Sequence, residues 1–413
     1  MFGKWIGRNA DKDKLNPEQL AQFGPYAELP RDALEQAAAL ADRIQVNPGL
    51  IGEQLPNDSD VYLHSGSLQI ATRTGFVLQV NAGEPQARCP VPPLHDVASL
   101  YAAEPSTFLS LPRSVRKPPS AATVLERPEL SEQESTALQE MRTYFRKEHH
   151  ELPSLPDLAV KISKAIDDPN NANDDIAKLI QLDPALTARM ISVVNSAAFG
   201  GINKIGSITQ ATARLGRNKV RSLVYSCLVK GIFRIRSAVL KRRMEALWQH
   251  SVHVAALSFI LGRVTPGIDP EQALLAGLIH DIGSVAVIGG INRYPILAQR
   301  PEVLDYTLDS LRVETGMLTL EHWGLADEFG EVVRNAENWS RVGTMVPQNV
   351  DVIIIAQLHA LIGRPRREEL PRMDQVPAFD KLVGGGLSPR RSLNLLDEAE
   401  ADIREVRSLL GAT

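Results

Sequence analysis

The chain has 413 residues, 45 of them Lys or Arg and 49 Asp or Glu, for a formal net charge of −4; 44% are hydrophobic and 23% charged. That length predicts two or three folding units, and that composition excludes wholesale disorder and a fibrous chain. Two cysteines, Cys89 and Cys227, are too few for a disulfide framework or a four-cysteine zinc site and suit a reducing compartment.

The first dozen residues carry charges and no apolar h-region, which predicts no secretory leader and a cytoplasmic protein. An alanine-rich helix is predicted over Asp32–Ile44. After it, DVYLHSGSLQIATRTGFVLQV alternates apolar and polar residues: Val61 and Leu63, then Leu68 and Ile70, then Val77, Leu78 and Val80. The breaks at Ser65-Gly66 and Thr74-Gly75 read as turns between consecutive hairpin strands. Proline and small polar residues from Pro112 to Glu129 describe a linker, and a charged helix is expected from Ser131 to His149.

Beyond Leu152 the hydrophobic period becomes helical, with Leu155, Leu158, Ile162 and Ile166 sharing one face. Ser154, Asn173, Asp183-Pro184 and Asp269-Pro270 stand as start signals. Further helices are expected at Arg217–Phe233, Ala238–Gly262, Pro301–Gly316, Ala326–Trp339, Asp351–Ile362 and Pro389–Leu410. The last is amphipathic and suits packing on its own domain or on another chain. The best membrane candidate, Val350–Gly363, is too short for a membrane span and contains Asp351, Gln357 and His359.

Charge is distributed unevenly. From Pro184 to Met244 there is no acidic residue against twelve basic ones. Arg214, Arg217, Lys219, Arg221, Arg234, Arg236, Lys241, Arg242 and Arg243 form the candidate surface for a partner or anion. Acidic parts of the same chain are the alternative neutraliser. A nucleic-acid face is a third reading, and the spread of these arginines over several helices and a turn speaks against it.

The run LDPALTARMISVVNSAAFG (Leu182–Gly200), followed by IGSITQATARLGRNKVRSLV, resembles the HDOD domain, a regulatory relative of HD-type metal-dependent phosphohydrolases. The likeness continues through Leu247-Trp248-Gln249-His250-Ser251, Ala276-Gly277-Leu278-Ile279-His280-Asp281-Ile282-Gly283 and Trp323-Gly324-Leu325. It spans about Leu152 to Gly363. The His-Asp pair alone is a weak signal, since His95-Asp96 supplies a second in an unrelated setting.

In HD hydrolases two His and two Asp hold a divalent metal that acidifies a water. The resemblance places His250, His280 and Asp281 at three of those positions and puts Gln357, in Ile354-Ile355-Ala356-Gln357, where the second Asp should stand. An amide in place of a carboxylate that should ligate the metal weakens its affinity at least as much as loss of a residue that only orients a ligand does. The catalytic HD-GYP branch has a Lys where this chain has Ser284, and paired histidines where it has Arg312 and Asn335-Ala336. No catalytic residue and no cofactor are therefore expected, with a divalent metal such as Fe or Mn as the alternative at His250, His280 and Asp281.

The strand region resembles the β-roll of cyclic-nucleotide-binding domains over about Leu50–Arg116. There a short helix and an Arg cradle the cyclic phosphate. Here Ala82–Pro93 contains Pro85, Pro90, Pro92 and Pro93, which argue against a short helix and leave Glu84 and Arg88 as ribose and phosphate candidates.

The resulting expectation is a multidomain α+β chain. Residues 1–116 form a helix and a degenerate antiparallel β-roll or barrel, 117–151 a linker and helix, 152–363 an all-α HD-like domain, and 364–413 a Pro/Gly-rich linker and final helix. Functionally it reads as a non-catalytic bacterial signal-transduction adaptor working through protein contacts, with signalling proteins as partners and a cyclic nucleotide or dinucleotide as a candidate ligand. A metal-dependent phosphohydrolase acting on a nucleotide or cyclic dinucleotide is the alternative, and a nucleic-acid-binding regulator the second.

Overall fold

The computed structural model describes residues 15–26, 29–113, 128–147, 152–199, 204–235, 237–362, 370–382 and 389–411. Much of the proline-rich linker, Arg236 and the Gly384-Gly385-Gly386 run lie outside them. The chain divides into two units, Met1–Ser120 with Ser340–Pro347, and Ala121–Trp339 with Gln348–Thr413. Residues 340–347, which the sequence boundaries leave within the helical domain, thus belong to the first unit.

That first unit opens with α1 (Pro17–Leu20) and α2 (Arg31–Leu40), followed by β1 (Asp42–Val46), β2 (Gly49–Leu50), β3 (Ser59–Ser65), β4 (Ser67–Ala71), β5 (Val77–Asn81), β6 (Ser99–Ala102) and β7 (Ser106–Pro112). The expected Asp32–Ile44 helix stops at Leu40, and Ile44 pairs with Phe108 in a strand instead. A β-branched residue flanked by Arg43 and Gln45 suits a pleated surface better than the end of a helix. All pairing is antiparallel, in two sheets of order β1-β7-β3 and β2-β6-β4-β5. The expected antiparallel sheets are observed, and neither closes on itself among the described residues.

Alternation sets which side chains meet. Leu68 lies opposite Val80 and Ile70 opposite Leu78, all four buried, while Val77 points outward at 56% exposure. Gly66 turns the chain between β3 and β4 at φ +94°, and a Cβ there would overlap the Ser106 side chain. The core they enclose is completed from far along the sequence by Val342 and Met345, with the Met345 amide donating to Pro90 O at 2.9 Å. Despite its four prolines, Ala82–Pro93 does contain a 3-10 turn, Pro85–Arg88. Pro85 occupies its first position, where a missing N–H costs nothing.

The second unit is helical: α3 (Glu132–Lys147), α4 (Asp157–Asp167), α5 (Asn173–Gln181), α6 (Pro184–Asn195), α7 (Ile208–Leu215), α8 (Arg217–Leu228), α9 (Ala238–Val264), α10 (Pro270–Ile279), α11 (Ile282–Gly290), α12 (Pro301–Trp323), α13 (Ala326–Asn335), α14 (Asn349–Leu361), α15 (Pro377–Lys381), α16 (Pro389–Glu398) and α17 (Glu400–Leu409). Asp183 caps α6 and Asp269 caps α10, each accepting from two backbone N–H groups. Ser154 caps nothing, because α4 begins only at Asp157 behind Pro156. The long α9 packs against α10, α14 and α17. α12 runs seven residues past the expected Gly316 to a left-handed Gly324, since Gly316 serves close packing rather than termination: a Cβ on it would lie 2.7 Å from Val333 Cγ1. The single expected C-terminal helix is two, broken at Ala399. One further run, Pro270–Arg293, is long and apolar enough to cross a membrane, but 83% of its apolar window is buried inside the fold, as for a core helix pair.

Candidate functional site

α9 and α10 approach closely because residue 277 has no side chain: a Cβ on Gly277 would lie 2.5 Å from Ala255 Cα. That approach sets His250 of α9 beside His280, which ends α10, with ring centroids 5.3 Å apart and planes at 70°. His280 is 2% exposed, and its Nδ1 lies 2.7 Å from Gly277 O. The Nδ1–H donates to that carbonyl, and Nε2 is buried without a hydrogen-bond partner.

Asp281 follows immediately, at the start of α11, and accepts from Ser284 Oγ at 2.6 Å. Burial raises its carboxyl above the usual range, against the opposing pull of His280, Arg312 and the Ser284 hydroxyl. Ser284, at the position of the HD-GYP Lys, thus holds the carboxylate by a hydrogen bond.

Opposite stands a group that the sequence reading placed only as a missing histidine. Arg312 of α12, 13% exposed, donates from Nε to Asp309 at 3.3 Å and from Nη2 to Glu337 at 3.2 Å. Burial works against its charge, yet Glu337, Asp281 and Asp309 together raise its pKa still further. Gln357 of α14 donates from Nε2 to Glu337 Oε1 at 2.9 Å, while its Oε1 is buried without a hydrogen-bond partner. An Asp at 357 would place a second carboxylate against Glu337; the amide presents a donor there instead. Among the described residues, no three His, Cys, Asp or Glu side chains converge as a metal-ligating group. The donor set does not match two His and two Asp.

Gly283 brings Arg312 into place. A Cβ at 283 would run into the Arg312 carbonyl, and Thr315 Oγ1 donates to Gly283 O at 3.1 Å across the α11–α12 contact. Gly283→Ala is expected to cost about 3 kcal/mol by overpacking. Gly289→Ala, in the same helix with open space around it, should be neutral or stabilise by up to about 1 kcal/mol. Urea unfolding of the two variants checks this contrast.

Two residues beyond Gln357, burial drives the His359 imidazole down to about 4 from 6.5. The unfolded chain then binds a proton that the folded one refuses, so stability falls as pH drops from about 6.5 to about 4. His359→Gln should flatten that slope by on the order of 2 kcal/mol, read from unfolding midpoints at pH 7 and pH 4.5.

Four residues of the basic tract are engaged within the helical unit. Arg217 donates to Asn173 Oδ1 and to the carbonyls of Asp168 and Asn171; Lys219 pairs with Glu271 and Asp269; Arg221 bridges Asp167 and Glu328; Arg243 pairs with Asp305. These four bind the helices to one another. Arg214, Arg234, Lys241 and Arg242 are exposed. In the first unit the Glu84 carboxylate closes its own turn, accepting from Asn81 N at 2.9 Å and Asn81 Nδ2 at 2.8 Å, and Arg88 is exposed at the end of the next one.

Residues 152–339 match the HDOD domain family. The helical unit contains an HDOD domain. A solved protein from Shewanella amazonensis SB2B, provisionally named a metal-dependent phosphohydrolase, is 23% identical with a TM-score of 0.56, covering 67% of this chain and 99% of its own. An HDOD domain protein with unknown function from Geobacter sulfurreducens is 21% identical with a TM-score of 0.50, covering 67% of this chain and 98% of its own. Both likenesses concern the fold. An uncharacterized protein of Treponema pallidum (strain Nichols) is 26% identical over 238 residues, 54% of this chain; the chain spans 45% of that relative's length.

The HDOD motif located His250 and His280, which meet ring against ring, and Asp281 and Gln357, which reach the cluster around Arg312. It gave no hint of Glu337 or Asp309, because nothing in their local sequence distinguishes them from helix-surface acids.

Proposed function

We propose that the HDOD domain is a non-catalytic docking module of a signal-transduction protein. One observation carries this reading: the carboxylates of Asp281, Glu337 and Asp309 surround a guanidinium fixed to the protein. Arg312 supplies the positive charge that these carboxylates require, and it has neither an exchangeable water nor an open coordination position. Gln357 reinforces the arrangement, since its amide supports Glu337 and adds no anion.

In the first unit Glu84 serves its own turn, which supports a β-roll kept for its surface after loss of a nucleotide ligand. The phosphohydrolase reading has one observation in its favour, the two buried polar atoms His280 Nε2 and Gln357 Oε1, both without hydrogen-bond partners. Elemental analysis of the purified full chain, with a hydrolysis assay on cyclic dinucleotides, separates the two. The docking module predicts far less than one Fe or Mn per chain and no turnover. Stoichiometric metal with hydrolysis, both lost in His280→Ala, would overturn it.

A further inference from the structure

α17 lies beyond the matched domain, and in sequence it follows the run Gly384-Gly385-Gly386. It packs on α9 and α6 through Ile403, Val406 and Leu410, which share one face at i, i+3 and i+7. The floor beneath it includes Val193, Leu223, Cys227 and Leu274, and a void of about 10 Å³ remains there. Flanking that apolar stripe, the contacts are polar and specific. Glu405 accepts from the backbone N–H of Ala197 at 3.3 Å and of Ala198 at 2.9 Å, two donors just past the end of α6. Arg263 bridges Asp402 Oδ2 at 2.8 Å and Ala198 O at 3.1 Å, and Lys230 donates to Gly411 O at 2.7 Å.

We propose that the groove between α6, α8, α9 and α10 is a docking site for an acidic amphipathic helix, which α17 fills in cis and a partner's helix of the same character takes over. The groove side supplies an apolar floor, two backbone donors and the Arg263 guanidinium, which ask for a helix with an aliphatic stripe flanked by carboxylates, while Lys230 takes the carbonyl at the helix end. The ion pair holding α17 is half-exposed on both sides, the weak and exchangeable kind. Only attachment to the same chain, through the high local concentration it creates, favours the resident helix over an equal competitor. This inference rests on the docking-module reading and names its face. The metal and turnover assays do not read it, so the two can fail separately.

Cys227 reports on the groove directly. Burial pushes its thiol up to about 12, so alkylation at neutral pH requires the groove to open. In the full chain, N-ethylmaleimide labelling with peptide mass mapping follows Cys227, and Cys89, buried in the other unit, serves as the control. Val406→Asp is expected to speed labelling of Cys227 at least tenfold and leave Cys89 unchanged. A synthetic peptide of residues 397–411, added in trans, should then restore protection, and the same peptide with Ile403, Val406 and Leu410 replaced by Ser should not. An unchanged Cys227 rate, or protection that the peptide fails to restore, overturns the proposal. If Val406→Asp also unmasks Cys89, the double variant Asp402→Asn/Glu405→Gln is read by the same two criteria. Exchange of α17 between two copies, seen as a dimer by light scattering, would assign the groove to self-association and overturn the partner helix.

Discussion

Replacing Arg312 by Met lowers the stability of the helical unit by about 3–5 kcal/mol, the cost of stranding buried charge when one partner of an ion cluster is removed. Glu337 and Asp309 lose their direct partner, and Asp281 loses a nearby cation. The sign of the accompanying pH effect follows. Without the guanidinium the Asp281 carboxyl rises further above its unfolded value, so the folded state binds the extra proton. The deficit of Arg312→Met relative to the parent should therefore shrink as pH falls from 7 towards 4. Urea unfolding monitored by helix circular dichroism across that range reads both effects. The double variant Arg312→Met/Glu337→Gln should recover more than half of the loss, because the amide oxygen introduced by Glu337→Gln can still accept from Gln357 and carries no charge. A deficit that stayed flat with pH would show that Arg312 acts by packing alone.

Lys381→Met is expected to cost a similar amount, about 3–5 kcal/mol, for a related reason in a different place. Lys381 of α15 and Asp351 of α14 form an ion pair with both side chains 0% exposed. Asp351 also accepts from the Gln348 amide at 2.9 Å, so its charge stands at the N-terminus of α14. Removing the ammonium leaves a carboxylate that water does not reach. Asp351→Asn in the same chain removes that charge while keeping an acceptor for Gln348, and the pair of substitutions should restore at least half the stability. A double-mutant cycle measures the coupling, and additive losses would show that the two groups do not depend on each other.

Local chemistry made several elements legible beforehand. The Asp-Pro starts at 183 and 269 are observed as caps, because a cap needs only the residue and the next turn of helix. Alternation around Gly66 and Gly75 placed β3, β4 and β5 for the same short-range reason. Misreadings arose where the decision was not local. Ile44 left its helix because Phe108, far along the chain, offers a strand to pair with. The break at Ala399 separates a helix from the one that meets α9. Residues 340–347 join the first unit because Val342 and Met345 find an apolar core there.

At the candidate site the division is sharper. By itself the sequence determined the HDOD domain, the presence of His280 and Asp281 at a helix boundary and the amide at Gln357, since residue identity and spacing carry that information. Only the tertiary structure decided which cation answers Asp281. That choice depends on α11 and α12 touching through Gly283 and on Glu337, just past the end of α13, reaching both Arg312 and Gln357. Charge compensation acts through space over a few ångströms, and the groups concerned are separated by dozens of residues along the chain.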